Sequence, residues 1–266
     1  MFGPLHVVAD HTWPEWQEAA VVELLDQAGT RMFAKQHRGA DRYRRELTAY
    51  QRWVPALGAR APRVLASHDA AQLLVVSAVP GAPPRNWRDS EVLVQAGRAL
   101  ATLHAAEDLG RLEDVVPAKQ AELDYWLRRG PGLVDRPMVD RLRCLLASLE
   151  PCPAPDLVPC HGDFSPRNWL VDHGRLGVID FGEAGPGAWV TDLGRVLFGW
   201  RLPPDGVEPL LDGYGRRPTD DELALLRATY AASIPGHIVW AREHRNNKFE
   251  ASSRQLLDSI LAGEFG

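Results

Sequence analysis

The sequence predicts an α+β chain of two lobes, a small antiparallel β-sheet lobe followed by a helix-rich lobe. Three observations predict it. The first third carries short apolar runs separated by turn residues, with a single segment of helical spacing. A break of three prolines and one glycine follows at Pro80-Gly81-Ala82-Pro83-Pro84. Beyond it, apolar residues recur mostly three and four apart. The predicted division is therefore a first lobe over 1–79, a hinge over 80–84 and a second lobe over 85–266, in a chain long enough to bury a substantial core.

Each element has a local reason. Leu5–Val8 is an apolar run, closed by the turn chemistry of Asp10-His11-Thr12-Trp13-Pro14. Ala20–Leu25 and Arg31–Gln36 flank a five-residue, glycine-containing loop and read as a β-hairpin. Gly39–Val54 places Tyr43, Leu47, Tyr50 and Val54 at helical spacing and stops before Pro55. Val64–Ser67 and Leu73–Ser77 complete the sheet. In the second lobe, Ser90–Glu107, Ala118–Arg128 and Pro137–Leu149 read as helices. A strand-rich interlude covers 157–181, and helical patterns resume around Trp189–Trp200, Asp220–Ser233 and Ser253–Ala262.

Composition narrows the class. A net charge of −5, with no basic run, gives no support to a nucleic-acid partner. Cys144, Cys152 and Cys160 are too few and too evenly spread for a zinc site, which needs close ligand pairs. An odd, small cysteine count points to a reducing cytoplasm. The start of the chain lacks a basic stretch leading into an apolar block, and Leu73–Val79 is only strand length, so neither a leader nor a membrane span is expected. No obligate protein partner is indicated.

The chemistry concentrates in one tract. His161-Gly162-Asp163-Phe164-Ser165-Pro166-Arg167-Asn168 sets a carboxylate and an amide five positions apart, and Val178-Ile179-Asp180-Phe181-Gly182 ends an apolar strand on a second carboxylate. Hard Mg²⁺ takes oxygen donors, and phosphoryl transfer needs such donors, a cation on the phosphates and a group to orient the attacking hydroxyl. Asn168 and Asp180 supply the metal donors. Asp163 is left to accept a proton from an alcohol or to hold that alcohol in line.

These motifs resemble the aminoglycoside phosphotransferase family, small-molecule relatives of the protein kinases, from about residue 20 to about residue 201. The resemblance implies a protein-kinase-like two-lobed fold and an ATP- or GTP-dependent transfer to a small hydroxylated substrate. It implies Asp163 as catalytic base, Asn168 and Asp180 as Mg²⁺ ligands, and Lys35 as the lysine on the α- and β-phosphates with Glu46 as its ion-pair partner. Read from the residues alone, Lys35 is a charge in the mostly apolar run Met32-Phe33-Ala34-Lys35, and an edge lysine facing solvent is the alternative. Val76-Ser77-Ala78-Val79-Pro80-Gly81 resembles the family's hinge, where backbone groups near Ser77 and Val79 would pair with the purine; this does not separate ATP from GTP. His161 reads as a hydrogen-bonded scaffold residue and His104 as core. Asp192 reads as a brace for the catalytic loop or as a helix cap.

Two features depart from protein kinases. No Gly-x-Gly-x-x-Gly loop occurs in the first lobe, and the turns that could cover the phosphates instead are Asp10–Trp16 and Asp26–Thr30. Only twelve positions separate Asp180 from Asp192, too few for a peptide platform. Arg167 has two readings, a cation on the transferred phosphate or a solvated side chain. Glu183 could face the acceptor, and Trp189, Trp200 and Trp240 could stack on a ring. From Pro186 onward, eleven acidic residues meet nine basic ones, which is not the strongly anionic lining a polycation would select. A hydroxylated antibiotic, an aminoglycoside among them, is the first expectation for the acceptor. The alternatives are a choline-, homoserine- or fructosamine-like metabolite or a sugar alcohol, and a catalytically inactive kinase-like binding module, against which Lys35, Asp163, Asn168 and Asp180 are all present.

Overall fold

Arg31–His37 is the central strand of a five-stranded antiparallel sheet, and this placement decides the role open to Lys35. The strands are β1 (His6–Asp10), β2 (Ala19–Leu25), β3 (Arg31–His37), β4 (Val64–His68) and β5 (Leu73–Ser77), in the spatial order β1-β2-β3-β5-β4. Lys35 is paired with Val21 on one side and with Leu74 on the other. It is therefore not an edge lysine. The computed structural model describes residues 3–12, 19–150 and 152–264, so Trp13–Trp16 of the first candidate phosphate turn lies outside the described residues.

Strand pleating sends alternate side chains to opposite faces. Met32 packs with Leu24 and Val75, with Val22 and Ala34 against them, in a small apolar cluster. Lys35 and His37 have the opposite parity. Helix α1 (Ala40–Arg52) buries Tyr43, Glu46, Ala49 and Tyr50, and its Glu46 meets Lys35 from β3.

The remaining helices are α2 (Ser90–His104), α3 (Val115–Arg129), α4 (Arg136–Ala147), α5 (Pro204–Tyr214), α6 (Asp220–Glu243) and α7 (Asn247–Ala262). Three short strands, β6 (Leu157–Cys160), β7 (Trp169–Asp172) and β8 (Arg175–Val178), carry the motif tract, with β7 and β8 paired antiparallel. The chain divides into two compact units. One comprises Met1–Asp108, Val158–Pro186 and Pro203–Arg216; the other comprises Leu109–Leu157, Gly187–Leu202 and Arg217–Gly266.

In the first unit, α5 lies against α2 at backbone distance. A Cβ on Gly97 would come within 2.1 Å of the Leu210 carbonyl oxygen, and one on Gly213 within 2.0 Å of the Val94 carbonyl oxygen. The absence of side chains at these two positions makes the contact possible. No helix is expected from Pro204-Asp205-Gly206-Val207-Glu208-Pro209, yet Pro204 sits in the first turn, where a missing N–H costs nothing.

The second unit is organised around α6, which opens with a capping box between Thr219 and Glu222. The expected end at Ser233 is overrun: α6 continues through Pro235-Gly236 to Glu243. Gly236 gives the Trp126 ring its seat, since a Cβ there would lie 2.8 Å from the indole. Burial of this stretch offsets the lost hydrogen bond. The helix expected near Trp189–Trp200 is instead a 3₁₀ turn at Trp189–Asp192 and a π turn at Arg195–Gly199. Gly194 and Gly199 both abut the Tyr230 side chain, which a Cβ at either position would crowd. Among the described residues, no helix is long and apolar enough to cross a membrane.

Candidate active site

The site begins where β6 ends. His161 is fully buried, and its Nδ1 accepts from the Asp163 N–H at 3.3 Å. That bond assigns the ring proton to Nε2, which donates to the Ile179 carbonyl at 3.1 Å. One imidazole thus ties the turn bearing Asp163 to the residue before Asp180, as a scaffold. Gly162 has φ +77°, and a Cβ there would lie 2.1 Å from the Glu183 carbonyl oxygen, so only glycine fits.

Asp163 is buried. Its Oδ2 accepts from Asn168 Nδ2 at 3.0 Å and from Arg167 Nη2 in a short ion pair. Asn168 Nδ2 also donates to the Asp163 backbone oxygen at 2.9 Å. Because the amide spends its donors on Asp163, its Oδ1 is the atom left for a cation. The Pro166–Asn168 turn is 3₁₀, with Pro166 at its start, and sets Arg167 and Asn168 on the carboxylate four and five residues back.

Asp180 follows β8 with φ +65°, a left-handed conformation that a non-glycine residue adopts at a cost. Its Oδ1 accepts from Lys35 Nζ at 2.8 Å, and the same ammonium donates to Glu46 Oε1 at 3.0 Å. The positive charge of Lys35 holds the Asp180 carboxyl well below the usual carboxylate range, against the effect of burial. On Lys35, burial works against the ammonium, but the charges of Asp180 and Glu46 outweigh it and its pKa is raised. Phe181 is fully buried, edge-on to Tyr50 of α1 and 4.7 Å from the His161 ring.

The end of β5 and the residue after it use their own amides. Ser77 N–H donates to the Arg63 carbonyl, and Ala78 N–H to the Arg31 carbonyl, at 2.9 and 3.2 Å. The Val79 side chain packs over Gly177, where a Cβ would meet it at 2.6 Å. The structure thus brings Lys35, Glu46 and Asp180 into one cluster and Asp163, Arg167 and Asn168 into a second. The Ile179 N–H joins them by donating to the Asn168 carbonyl at 3.0 Å.

Other expectations resolve by position. Arg167 is not a purely solvated side chain, because it is ion-paired with Asp163. Glu183 is ion-paired with Arg42 and Arg45 of α1. His104 is buried, with Nδ1 2.9 Å from the Tyr214 hydroxyl. Trp189 is buried and donates to Glu222, Trp240 stacks on His244, and Trp200 is exposed.

Sequence reasoning missed His37, whose Nε2 lies 3.0 Å from Glu46 Oε2 in a fully buried setting. The signal available for it was its parity with Lys35 in β3. It also missed Arg42 and Arg45 of α1, where Arg42 lies four residues before Glu46 and three before Arg45.

A sequence model of the phosphotransferase enzyme family matches residues 14–258. The aminoglycoside 3′-phosphotransferase of Streptomyces fradiae is 30% identical over 199 residues, which are 64% of this chain and 72% of that protein. Among solved structures, the fold is similar to a thermostable mutant of the aminoglycoside phosphotransferase APH(4)-Ia in ternary complex with ADP and hygromycin B. The TM-score is 0.75 at 19% identity, covering 98% of this chain and 95% of that one. A choline/ethanolamine kinase family protein from Mesorhizobium loti superposes with a TM-score of 0.71 at 19% identity, covering 98% and 87%. These likenesses show the kinase-like α+β fold.

Proposed function

We propose, for a chain that belongs to the phosphotransferase enzyme family, that it transfers the terminal phosphoryl group of ATP or GTP to a hydroxyl of an antibiotic, an aminoglycoside or another hydroxylated one, as resistance or self-protection. The observation that carries this reading is the joining of two clusters by one hydrogen bond. Lys35, Glu46 and Asp180 form the first; Asp163 and Asn168 form the second.

In this reading residues 1–79 hold the nucleotide, residues 80–84 are the hinge and residues 85–266 carry the catalytic turn and the acceptor site. Backbone groups near Ser77 and Val79 pair with the purine, and Lys35 fixes the α- and β-phosphates with Glu46 holding the ammonium in place. The oxygens of Asn168 and Asp180 fit a hard divalent cation, since the amide donors are already spent on Asp163 and one carboxylate oxygen is taken by Lys35. Bound there, Mg²⁺ would neutralise charge on the phosphates. Asp163 orients the acceptor hydroxyl and takes its proton as the new oxygen–phosphorus bond forms and the bond to the leaving nucleoside diphosphate breaks. Arg167, already on Asp163, is placed to offset charge at the same spot.

The name of the Streptomyces fradiae relative supports the antibiotic acceptor. A metabolite alcohol is the second reading, favoured by the similarity to the choline/ethanolamine kinase family protein and by the balanced charge beyond Pro186. The unlinked Cys144, Cys152 and Cys160 agree with a reducing, cytoplasmic setting. The test is a screen of nucleotide consumption by the purified protein over hydroxylated antibiotics and amino alcohols, with product masses measured. A product heavier by one phosphoryl group is expected with an antibiotic. Phosphorylation of metabolites alone would overturn the antibiotic reading.

A further inference from the structure

Glu183 is the point where three parts of the first unit meet. Its carboxylate is ion-paired with Arg42 and with Arg45, the latter at 3.1 Å, both from α1. Its carbonyl oxygen lies 2.1 Å from where a Cβ on Gly162 would be, against the turn that presents Asp163. It ends the tetrapeptide Asp180-Phe181-Gly182-Glu183, and that tetrapeptide is fastened to α1 nearly residue by residue. Asp180 is held through Lys35 to Glu46, Phe181 meets Tyr50 edge-on, and Glu183 takes Arg42 and Arg45. Residues 42, 45, 46 and 50 recur at the three- and four-residue spacing of one helix face, so α1 grips the loop with a single stripe.

We propose that Glu183 is a positioning residue: clamped by Arg42 and Arg45, it fixes the Asp180 loop to α1 in the geometry that binds a metal–nucleotide complex. The proposal rests on the phosphotransferase reading, and it assigns Glu183 to the loop rather than to the acceptor. Arg42, Arg45 and Glu183 are each more than a quarter exposed, at 28%, 48% and 37% for their side chains. Pairs of that exposure add little to global stability. The clamp instead acts on Asp180. That residue stays in a left-handed conformation only while its neighbours hold it, and the Lys35 pair restrains one side while Glu183 restrains the other.

The experiment compares the full chain with Glu183→Gln, Arg42→Gln/Arg45→Gln and all three changes together. Two quantities are read: amide hydrogen exchange of residues 179–184 without nucleotide, and the gain in ATP and GTP affinity on replacing EDTA with Mg²⁺. Glu183→Gln should raise exchange in that segment about fivefold or more and cut the Mg²⁺-dependent gain about tenfold, with melting temperature and EDTA-condition affinity nearly unchanged. The arginine changes should do the same, and the triple variant should go no further, because all three remove one clamp. Charge exchange, Glu183→Arg with Arg42→Glu and Arg45→Glu, should restore most of the loss. Unchanged exchange in Glu183→Gln, or additive effects in the triple variant, would overturn the clamp. A parent chain with no Mg²⁺-dependent gain would count against the phosphotransferase reading, while the exchange measurement still decides the clamp.

Discussion

Asn168 and Asp163 are bonded twice through a single side-chain nitrogen: Asn168 Nδ2 lies 2.9 Å from the Asp163 backbone oxygen and 3.0 Å from its Oδ2. The proposed base and the proposed metal donor, five residues apart, are thereby set relative to one another. The orientation of the amide is the consequence that matters, since it presents oxygen away from Asp163.

Asp163→Asn keeps the shape of this pair and removes the proposed base. Turnover with the accepted substrate should fall by about 10²–10⁴-fold, the usual range for a positioned proton acceptor. Nucleotide affinity should stay within about twofold of the parent, a limit set well below the tenfold that corresponds to 1.4 kcal/mol. Steady-state kinetics beside nucleotide titration checks this, and near-normal turnover would remove Asp163 from the role.

Asp180→Asn retains volume but loses the charge that holds Lys35 and that the proposed metal site requires. The Mg²⁺-dependent part of ATP or GTP affinity should drop at least tenfold, or about 1.4 kcal/mol. Affinity measured in EDTA should change much less. Equal losses with and without the metal would argue against a metal role.

Lys35→Met leaves Glu46, whose side chain is 2% exposed, without its cation and beside His37. Breaking a buried pair from one side costs about 3–5 kcal/mol, and partial exposure of Lys35 should bring this to the lower end. Chemical denaturation should report it as a fall in midpoint, accompanied by a large fall in kcat/KM. The double change Lys35→Met with Glu46→Leu should recover stability and leave activity lost, because stability needs the charges balanced whereas catalysis needs the ammonium itself.

Glu250 is the acid-sensitive staple of the second unit. Hydrogen bonds from Arg242 and Arg254, the former leading, hold its pKa at about 2 against an ordinary 4.5. A carboxyl whose folded value lies below its unfolded one stabilises the fold above the unfolded pKa, and that contribution is lost as pH falls from about 4.5 towards 2. Glu250→Gln should lower the melting temperature at pH 7 and flatten the decline between about pH 4.5 and 2. Parallel curves for the two proteins through that window would contradict the assignment.

Much of the first unit was legible because its signals are local. Gly39–Val54 places its apolar residues at helical spacing, and α1 forms within those bounds; Leu73–Ser77 is β5 to the residue. The motif tract was legible because the chemistry requires particular residue types close together in sequence. Helix α5 was not, since prolines and glycines that read as loop serve as a first-turn residue and as a backbone contact with α2. Nor was the run of α6 through Pro235, where packing overrides a local breaker. The pairing of Glu183 with Arg42 and Arg45 joins residues about 140 apart, as the 138-residue separation from Arg45 illustrates. No periodicity records a contact of that range.

The contact of Gly97 and Gly213 has a further consequence for how the chain is made. The unit that holds Lys35, Asp163 and Asp180 includes Pro203–Arg216, and its α2 is covered by α5 at backbone distance. A nascent chain halted before α5 emerges would expose that face of α2. The first unit therefore cannot close during synthesis until nearly four-fifths of the protein has left the ribosome. By then the segments of the other unit that precede α5 are already out, but α6, around which that unit is organised, has yet to follow, so the first unit has all its segments before the second does. Neither unit is one continuous stretch of the chain.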